Sequence, residues 1–353
     1  MAPRAPELSV ASRPRAELAV GEVRLTVERF LLTANNRTYV TLGDSAGYWT
    51  PFPAPEGYGR VPAWGFAVVS ESAHPDIAVG SRYFGLLPMS TDLVVSPEVV
   101  PGGFRDASPH RDRLDEYYRQ YRSADTNGGE GGEPNVEASL RVLAWTVYPS
   151  SLVLAHELRT FGAAAVVLSS ASSKTALGIA ERLRRFGIRT HGMTSLANVD
   201  FVRGFGVYDS VSTYDDPAGV GDPDGPVDTV FVDITRNVDV IAAVHHRLGG
   251  RLLRSVLFGG THGGGSAAPG TLPGPTPEPL FVPERRAVLR QRIGEEAYTR
   301  ELAEGQELFL ALAARSMRVD DRVGPDAARD ALSEVLAGPQ APDVVTVVRP
   351  QPS

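Results

Sequence analysis

Residues 164–258 alternate short apolar runs with amphipathic stretches, and this rhythm limits the fold more than any other feature of the chain. Residues 164–168 predict a buried strand. Residues 175–186 predict a helix, with Ala176, Ile179, Ala180 and Leu183 at helical spacing. Strands then follow at 188–193, 209–212, 227–234 and 251–258, with helices at 197–205 and 238–248 between them. Nearly continuous apolar strands separated by amphipathic helices are what a parallel sheet needs, because the crossover helices cover both of its faces. The expected fold class is α/β, with a Rossmann-type doubly wound parallel sheet over residues 141–279.

The flanks read differently. Residues 1–19 are rich in Pro, Ala and Arg and predict a loose arm. Residues 23–30 alternate apolar and polar positions as a strand does. Residues 33–101 are rich in Gly, Pro and aromatics and predict mostly β-structure, with strands at 64–70 and 92–96. The charged run 106–121 predicts a helix, and its Arg, Asp and Glu side chains predict a solvated face. Residues 125–134 predict a linker, and 142–159 a buried helix that Pro149 kinks or starts. Residues 287–315 and 326–336 predict helices, and 344–348 a last strand. A 353-residue chain exceeds one ordinary core, so two domains are expected: 20–140 with 280–353, and 141–279.

The net charge of −7 argues against a nucleic-acid partner. The sequence offers no uninterrupted apolar run near 18 residues and no export signal, so neither a membrane nor secretion is expected, and the cytoplasm is the expected location. Cysteine is absent, which removes disulfides, thiol catalysis and thiolate zinc sites together. Lys174 is the only lysine; every other basic side chain of the Lys/Arg class is arginine.

That lysine lies in the turn after the first strand of the alternating region, Ser169-Ser170-Ala171-Ser172-Ser173-Lys174-Thr175-Ala176. In a nucleotide-binding unit this turn sets helix amides against a pyrophosphate, and glycines normally make it tight. Here small residues replace them. Ser170, Ser172, Ser173 and Thr175 could offer hydroxyl donors and Lys174 a cation; equally, Ser172 or Ser173 could simply cap the helix. The second strand ends at Thr194-Ser195, about 21 residues beyond Ser173, near the spacing at which the ribose is read. Thr194, Ser195 and Asn198 stand where a carboxylate would bind a free 2′-hydroxyl, which favours a 2′-phosphate and hence NADPH over NADH. Asp233, at the end of the fourth strand, joins the candidate cofactor set.

The order of these segments resembles the zinc-independent branch of the medium-chain dehydrogenase/reductases, the quinone oxidoreductase and enoyl reductase type. It resembles still more closely the family of unknown function DUF2855. The resemblance is carried by residues 32–39 (LTANNRTY), 52–66 (FPAPEGYGRVPAWGF), 87–91, 106–111, 168–176 and 259–262 (GGTH), and covers about residues 20–348. It implies a GroES-like β domain followed by the Rossmann domain, with substrate and nicotinamide meeting in the cleft between them. It implies NADPH-dependent reduction of an activated C=C or C=O in a small or polyketide-like substrate, without zinc. Gly260 and Thr261 are implied cofactor contacts. Reduction of an enone needs a donor for the developing oxygen charge. Tyr39 is the first candidate, with Asn35 and Asn36 beside it, although this segment could equally be a polar turn with Tyr39 packed beneath. His262 could contact nicotinamide or protonate product, or be solvated. Tyr48, Trp49, Phe52 and Trp64 suit an aromatic pocket or a core; Tyr117, Tyr118 and Tyr121 suggest packing, as does the His245-His246 pair. Two other readings stay open: a lyase, isomerase or cyclase that uses Lys174 as a Schiff base, and a non-catalytic nucleotide or ligand sensor. A small molecule is the expected partner, with a homodimer left open.

Overall fold

The computed structural model describes residues 7–45, 47–124, 136–216, 219–220, 228–259 and 272–351. The chain divides into two compact units, Met1–Thr146 with Arg318–Ser353, and Val147–Met317.

The first unit is organised by β1 (Val23–Leu32), which is buried along most of its length. Its polar positions are not all solvated: Arg24 and Arg29 are buried, and ion pairs with Glu71, Asp92 and Glu28 offset the loss of hydration. Thr33 stops the strand and opens α1 (Ala34–Thr41) through a capping box in which Asn36 Oδ1 accepts the Thr33 amide. The expected polar turn is therefore a short helix. Next come β2 (Pro62–Ser72), β3 (Arg82–Pro88), β4 (Asp92–Val95), β5 (Pro97–Val100), β6 (Gly103–Asp106) and β7 (Gln120–Ser123). One edge of β1 pairs with β2; the other pairs with β4 over Val23–Thr26.

The helix expected over 106–121 does not form. Instead, β6 and β7 are joined by two single turns of 3-10 helix, Pro109–Arg111 and Glu116–Tyr118. Pro109 cannot donate within a helix, and Asp106 and Arg111 face inward as a fully buried ion pair, not onto a solvated face.

Helix α2 (Val136–Thr160) starts earlier than expected and carries Pro149 inside it. By length and composition it could cross a membrane, contrary to the reading of the sequence, but 78% of its apolar window is buried inside the protein. A core helix has the same composition because it too is surrounded by apolar groups.

The second unit alternates as the sequence predicts: β8 (Ala165–Leu168), α3 (Lys174–Arg185), β9 (Arg189–Thr194), α4 (Val199–Phe205), β10 (Ser210–Thr213), β11 (Thr229–Asp233), α5 (Val238–Leu248), β12 (Leu252–Leu257) and the short β13 (Glu278–Pro279). These strands form a parallel sheet in the order β10-β9-β8-β11-β12-β13. On α3, Leu177, Ile179, Ala180 and Leu183 are all fully buried; each large side chain of this kind contributes roughly 1.5–3 kcal/mol.

The helix expected over 287–315 is two, α6 (Val282–Ile293) and α7 (Glu295–Ser316), broken at Gly294, whose φ of 82° suits glycine. The second unit keeps both, so the return to the first unit comes at Arg318, not at residue 280. Side-chain contacts explain why. Glu301 of α7 ion-pairs with Arg182 of α3 and lies 2.8 Å from His156 of α2, and Phe309 packs on Tyr148. The first unit is completed by β14 (Arg318–Val323), α8 (Pro325–Ala337) and β15 (Val344–Arg349). Strand β15 takes the remaining edge of β1 over Phe30–Leu32, and β14 runs parallel to β15. Ala331, Leu332 and Val335 of α8 join the core beneath this sheet.

Candidate functional site

From β8 the chain moves outward to β9 and β10, then returns to lay β11 on the other side of β8. The strand order therefore reverses between β8 and β11, where the ends of parallel strands leave a crevice in folds of this kind. Here the two strand ends are tied together. Ser169 Oγ donates to Asp233 Oδ1 at 2.8 Å and accepts the Ile234 amide at 2.7 Å. Asp233 also accepts from Thr235 Oγ1 at 2.7 Å and from the Arg236 amide at 2.8 Å. Both Ser169 and Asp233 are fully buried, and a buried carboxylate persists because donors surround it.

Two non-glycine residues among those described hold a left-handed backbone, Ser170 at φ 50° and Arg236 at φ 59°, and both lie at this sheet edge. Such conformations cost on the order of 1–3 kcal/mol each and persist only where neighbours fix them. The Asp233 carboxylate holds the Arg236 amide. The Ser170 amide donates to the Tyr214 hydroxyl at 3.0 Å.

The rest of the turn is fixed by the neighbouring strand. The Ala171 amide donates to Met193 O at 3.0 Å, and the Tyr208 hydroxyl donates to Ala171 O at 3.0 Å. A Cβ at Gly192 would lie 2.9 Å from Ala171 Cβ and 3.0 Å from the Tyr208 ring, so the close approach that loop glycines normally allow is provided here by a glycine in β9. Ser173 caps α3, its Oγ accepting the Ala176 amide at 3.3 Å, and Asn198 Nδ2 donates to Ser172 Oγ at 3.2 Å. Lys174 and Thr175 are half-buried in the first turn of this 12-residue helix, where amides without helical partners and the helix dipole favour negative charge. Burial pushes the Tyr208 and Tyr214 phenols up, so both stay protonated and uncharged at neutral pH.

Ser170, Ser172, Ser173, Lys174 and Thr175 thus gather on one turn, with half-buried Ser195 and Asn198 at the end of the next strand. Two expected cofactor ligands depart from that grouping. Asp233 is enclosed in the bonds that lock the sheet edge, and Thr194 is buried at 1% exposure because β9 is an inner strand flanked by β8 and β10. Gly260, Thr261 and His262 lie outside the described residues. Ser169, Tyr208 and Tyr214 were not legible as site residues, since their roles come from strands far apart in the sequence. His191 and His245 are buried and satisfied: His191 lies between Ser210 and Ser212, and His245 between Pro273 O and Ser255. No group of three or more His, Asp or Glu among the described residues could hold a metal ion.

In the first unit the candidate donors separate. Asn36 is buried, its Nδ2 donating to Pro62 O at 2.9 Å, while Asn35 is exposed. Tyr39 is 8% exposed, with its ring 4.9 Å from that of Tyr48, and burial raises its phenol well above the ordinary value. Phe52 is core, stacked under Arg111, and Trp49 is wedged between Gly43 and Gly59, where a Cβ would lie 2.0 Å and 2.2 Å from the indole.

Residues 30–341 match the family described as "Protein of unknown function (DUF2855)". No curated protein matches the sequence. Among solved structures the chain is similar to CurA from Vibrio vulnificus in complex with NADPH, at 14% identity over 96% of this chain and 94% of that one, with a TM-score of 0.57. It is similar also to E. coli K-12 YhdH with bound NADPH, at 14% identity over 97% and 95%, TM-score 0.53. The CurK enoyl reductase gives 14% identity over 96% and 94%, TM-score 0.55. The fold is that of the medium-chain dehydrogenase/reductases, a GroES-like unit and a Rossmann unit.

Proposed function

We propose that this chain, which belongs to the DUF2855 family, is a cytoplasmic NADPH-dependent reductase of an activated C=C or C=O bond in a small or polyketide-like substrate, working without zinc. The observation that carries the reading is the turn from Ser170 to Thr175. It brings hydroxyls, one ammonium group and the start of a 12-residue helix to the point of strand-order reversal. The donor set suits a dinucleotide. Ser172, Ser173, Lys174 and Thr175 would hold the pyrophosphate, and Ser195 and Asn198, with no carboxylate among residues 194–198, would hold a 2′-phosphate. Similarity to structures solved with NADPH supports the same choice.

Bound there, the cofactor would supply hydride; the chain's own residues bind and orient. The lock between Ser169 and Asp233 keeps the two strand ends in register beneath the ligand. Tyr39, protonated because it is buried, would donate to the oxygen that gains charge in the reduction.

The test is a titration of the purified protein with NADPH and NADH, followed by nicotinamide fluorescence. NADPH should bind at least several-fold more tightly; equal affinity, or a preference for NADH, overturns the reading. Ser195→Asp should move the preference toward NADH. Turnover of an activated substrate should survive EDTA.

A further inference from the structure

The turn after β8 keeps one shape without a glycine of its own. Each backbone polar group of Ser170 and Ala171 has a partner. The Ser170 amide donates to the Tyr214 hydroxyl at 3.0 Å, and Ser170 O accepts the Ser173 amide at 2.8 Å. The Ala171 amide donates to Met193 O at 3.0 Å, and Ala171 O accepts the Tyr208 hydroxyl at 3.0 Å. Two of these partners are phenols that come from outside the turn. Tyr208 lies just before β10 and Tyr214 just after it, and both ends of that strand are tied to β9: the Asp209 amide donates to Thr190 O at 3.0 Å and the Tyr214 amide to Thr194 O at 3.1 Å.

Each phenol meets a separate difficulty. Ser170 stands at φ 50°, where the side chain of an L residue crowds its own peptide group; the bond from its amide to Tyr214 offsets that cost. Ala171 is fully buried and passes close over β9. Gly192 leaves the room, since a Cβ there would lie 2.9 Å from Ala171 Cβ and 3.0 Å from the Tyr208 ring. The missing side chain admits the turn and the ring together, and the ring carries its hydroxyl to Ala171 O. Packing alone does not account for the two hydroxyls. Phenylalanine would lie on Gly192 as well as Tyr208 does, and would pack as well as Tyr214 against the core around Met193 and Phe231.

The bonds also decide where a ligand can be held. In a glycine-rich turn the first amides are free to meet a phosphate. Here the amides of Ser170 and Ala171 are committed, which leaves that work to the start of α3.

We propose that Tyr208 and Tyr214 are positioning residues that do for this turn what loop glycines do elsewhere: they clamp it from the β10 side, so that residues 172–175 are set for an anion before it arrives. Order already present in the free protein does not have to be supplied on binding. The effect on cofactor affinity rests on the NADPH reading above; the clamp on the turn does not.

The experiment joins hydrogen exchange on the full chain without cofactor to calorimetry against NADPH. Tyr214→Phe keeps the ring and removes the acceptor. Exchange over residues 169–176 should quicken several-fold while β12 is unchanged, and NADPH affinity should fall about three- to tenfold, the effect of one hydrogen bond. Tyr208→Phe should behave in the same way. Ser170→Gly separates positioning from general stability, because glycine takes φ 50° unaided. In the Ser170→Gly background, the further change Tyr214→Phe should cost less than about twofold in affinity. An equal loss in both backgrounds, or unchanged exchange in both phenylalanine variants, overturns the proposal. A wild type that binds no NADPH, with exchange still quickened in the variants, overturns the cofactor reading and leaves the clamp standing; NADPH binding that neither substitution weakens does the reverse.

Discussion

Replacing Arg111 by Met tests whether the first unit depends on one buried cation. Both Arg111 and Asp106 are 0% exposed, and the pair lies at 3.0 Å. Arg111 also bonds Pro51 O and the Tyr121 hydroxyl, and its guanidinium centre is 4.7 Å from the Phe52 ring centroid. In Arg111→Met the carboxylate keeps donors only at Oδ1, from the Ser96 amide, the Ser108 amide and Ser108 Oγ. Oδ2 is left buried without a counter-charge. Breaking one side of such a pair costs about 3–5 kcal/mol. The lower part of that range is expected here, because Asp106 Oδ2 accepts no well-aligned hydrogen bond even in the intact pair. In a unit of this size that is a fall in melting temperature of roughly 10 °C. Urea unfolding followed by near-ultraviolet dichroism, which reports the aromatic cluster, gives the free energy directly. The second arm is Asp106→Asn in the Arg111→Met background. It removes the stranded charge and should recover at least half of the loss, since the penalty belongs mainly to the unpaired carboxylate. A loss below about 1 kcal/mol in the single variant, or no recovery in the double, would refute the reasoning.

Lys174→Ala should weaken NADPH binding by about 1–3 kcal/mol, the range of a charge-assisted hydrogen bond, and Lys174→Arg should not restore it fully; calorimetry checks both, and unchanged affinity in the alanine variant shows the lysine to be incidental. Asp233→Ala removes the acceptor shared by Ser169, Thr235 and Arg236, so it should destabilise the protein by several kcal/mol, about 1–3 for each donor left buried, as read by urea unfolding; a change within about 0.5 kcal/mol would contradict the lock. Stability should also fall on acidification. Burial lowers His191 to about 4 from 6.5, so the unfolded chain takes up a proton that the folded chain refuses between those values. Its contribution is complete above pH 6.5 and disappears as pH falls toward 4, up to about 3 kcal/mol in all. Urea midpoints at pH 7 and pH 5 in wild type and His191→Gln measure it, and an identical pH slope in the two would rule it out.

The second unit was legible in the sequence because its signals are local. An inner parallel strand is buried on both faces, so residues 165–168 and 229–233 are apolar runs whatever surrounds them. The stripe on α3, the Ser173 cap and the clustering of Ser170 to Thr175 all lie within one strand-turn-helix stretch. The first unit was less legible. Residues 106–121 carry enough charge for an exposed helix, and nothing nearby in the sequence shows that Arg111 meets Pro51 and Asp106 in the interior. Tertiary structure alone decided that Asp233 and Thr194 are enclosed, that Gly192 provides the closeness the serine-rich turn lacks, and that α6 and α7 stay with the second unit. It also brought Tyr117 and Tyr118 against Trp64 from a distant stretch of chain. Composition records how much aromatic and charged surface a chain carries. Which of it leaves water depends on contacts between residues distant in sequence, and no local period encodes those.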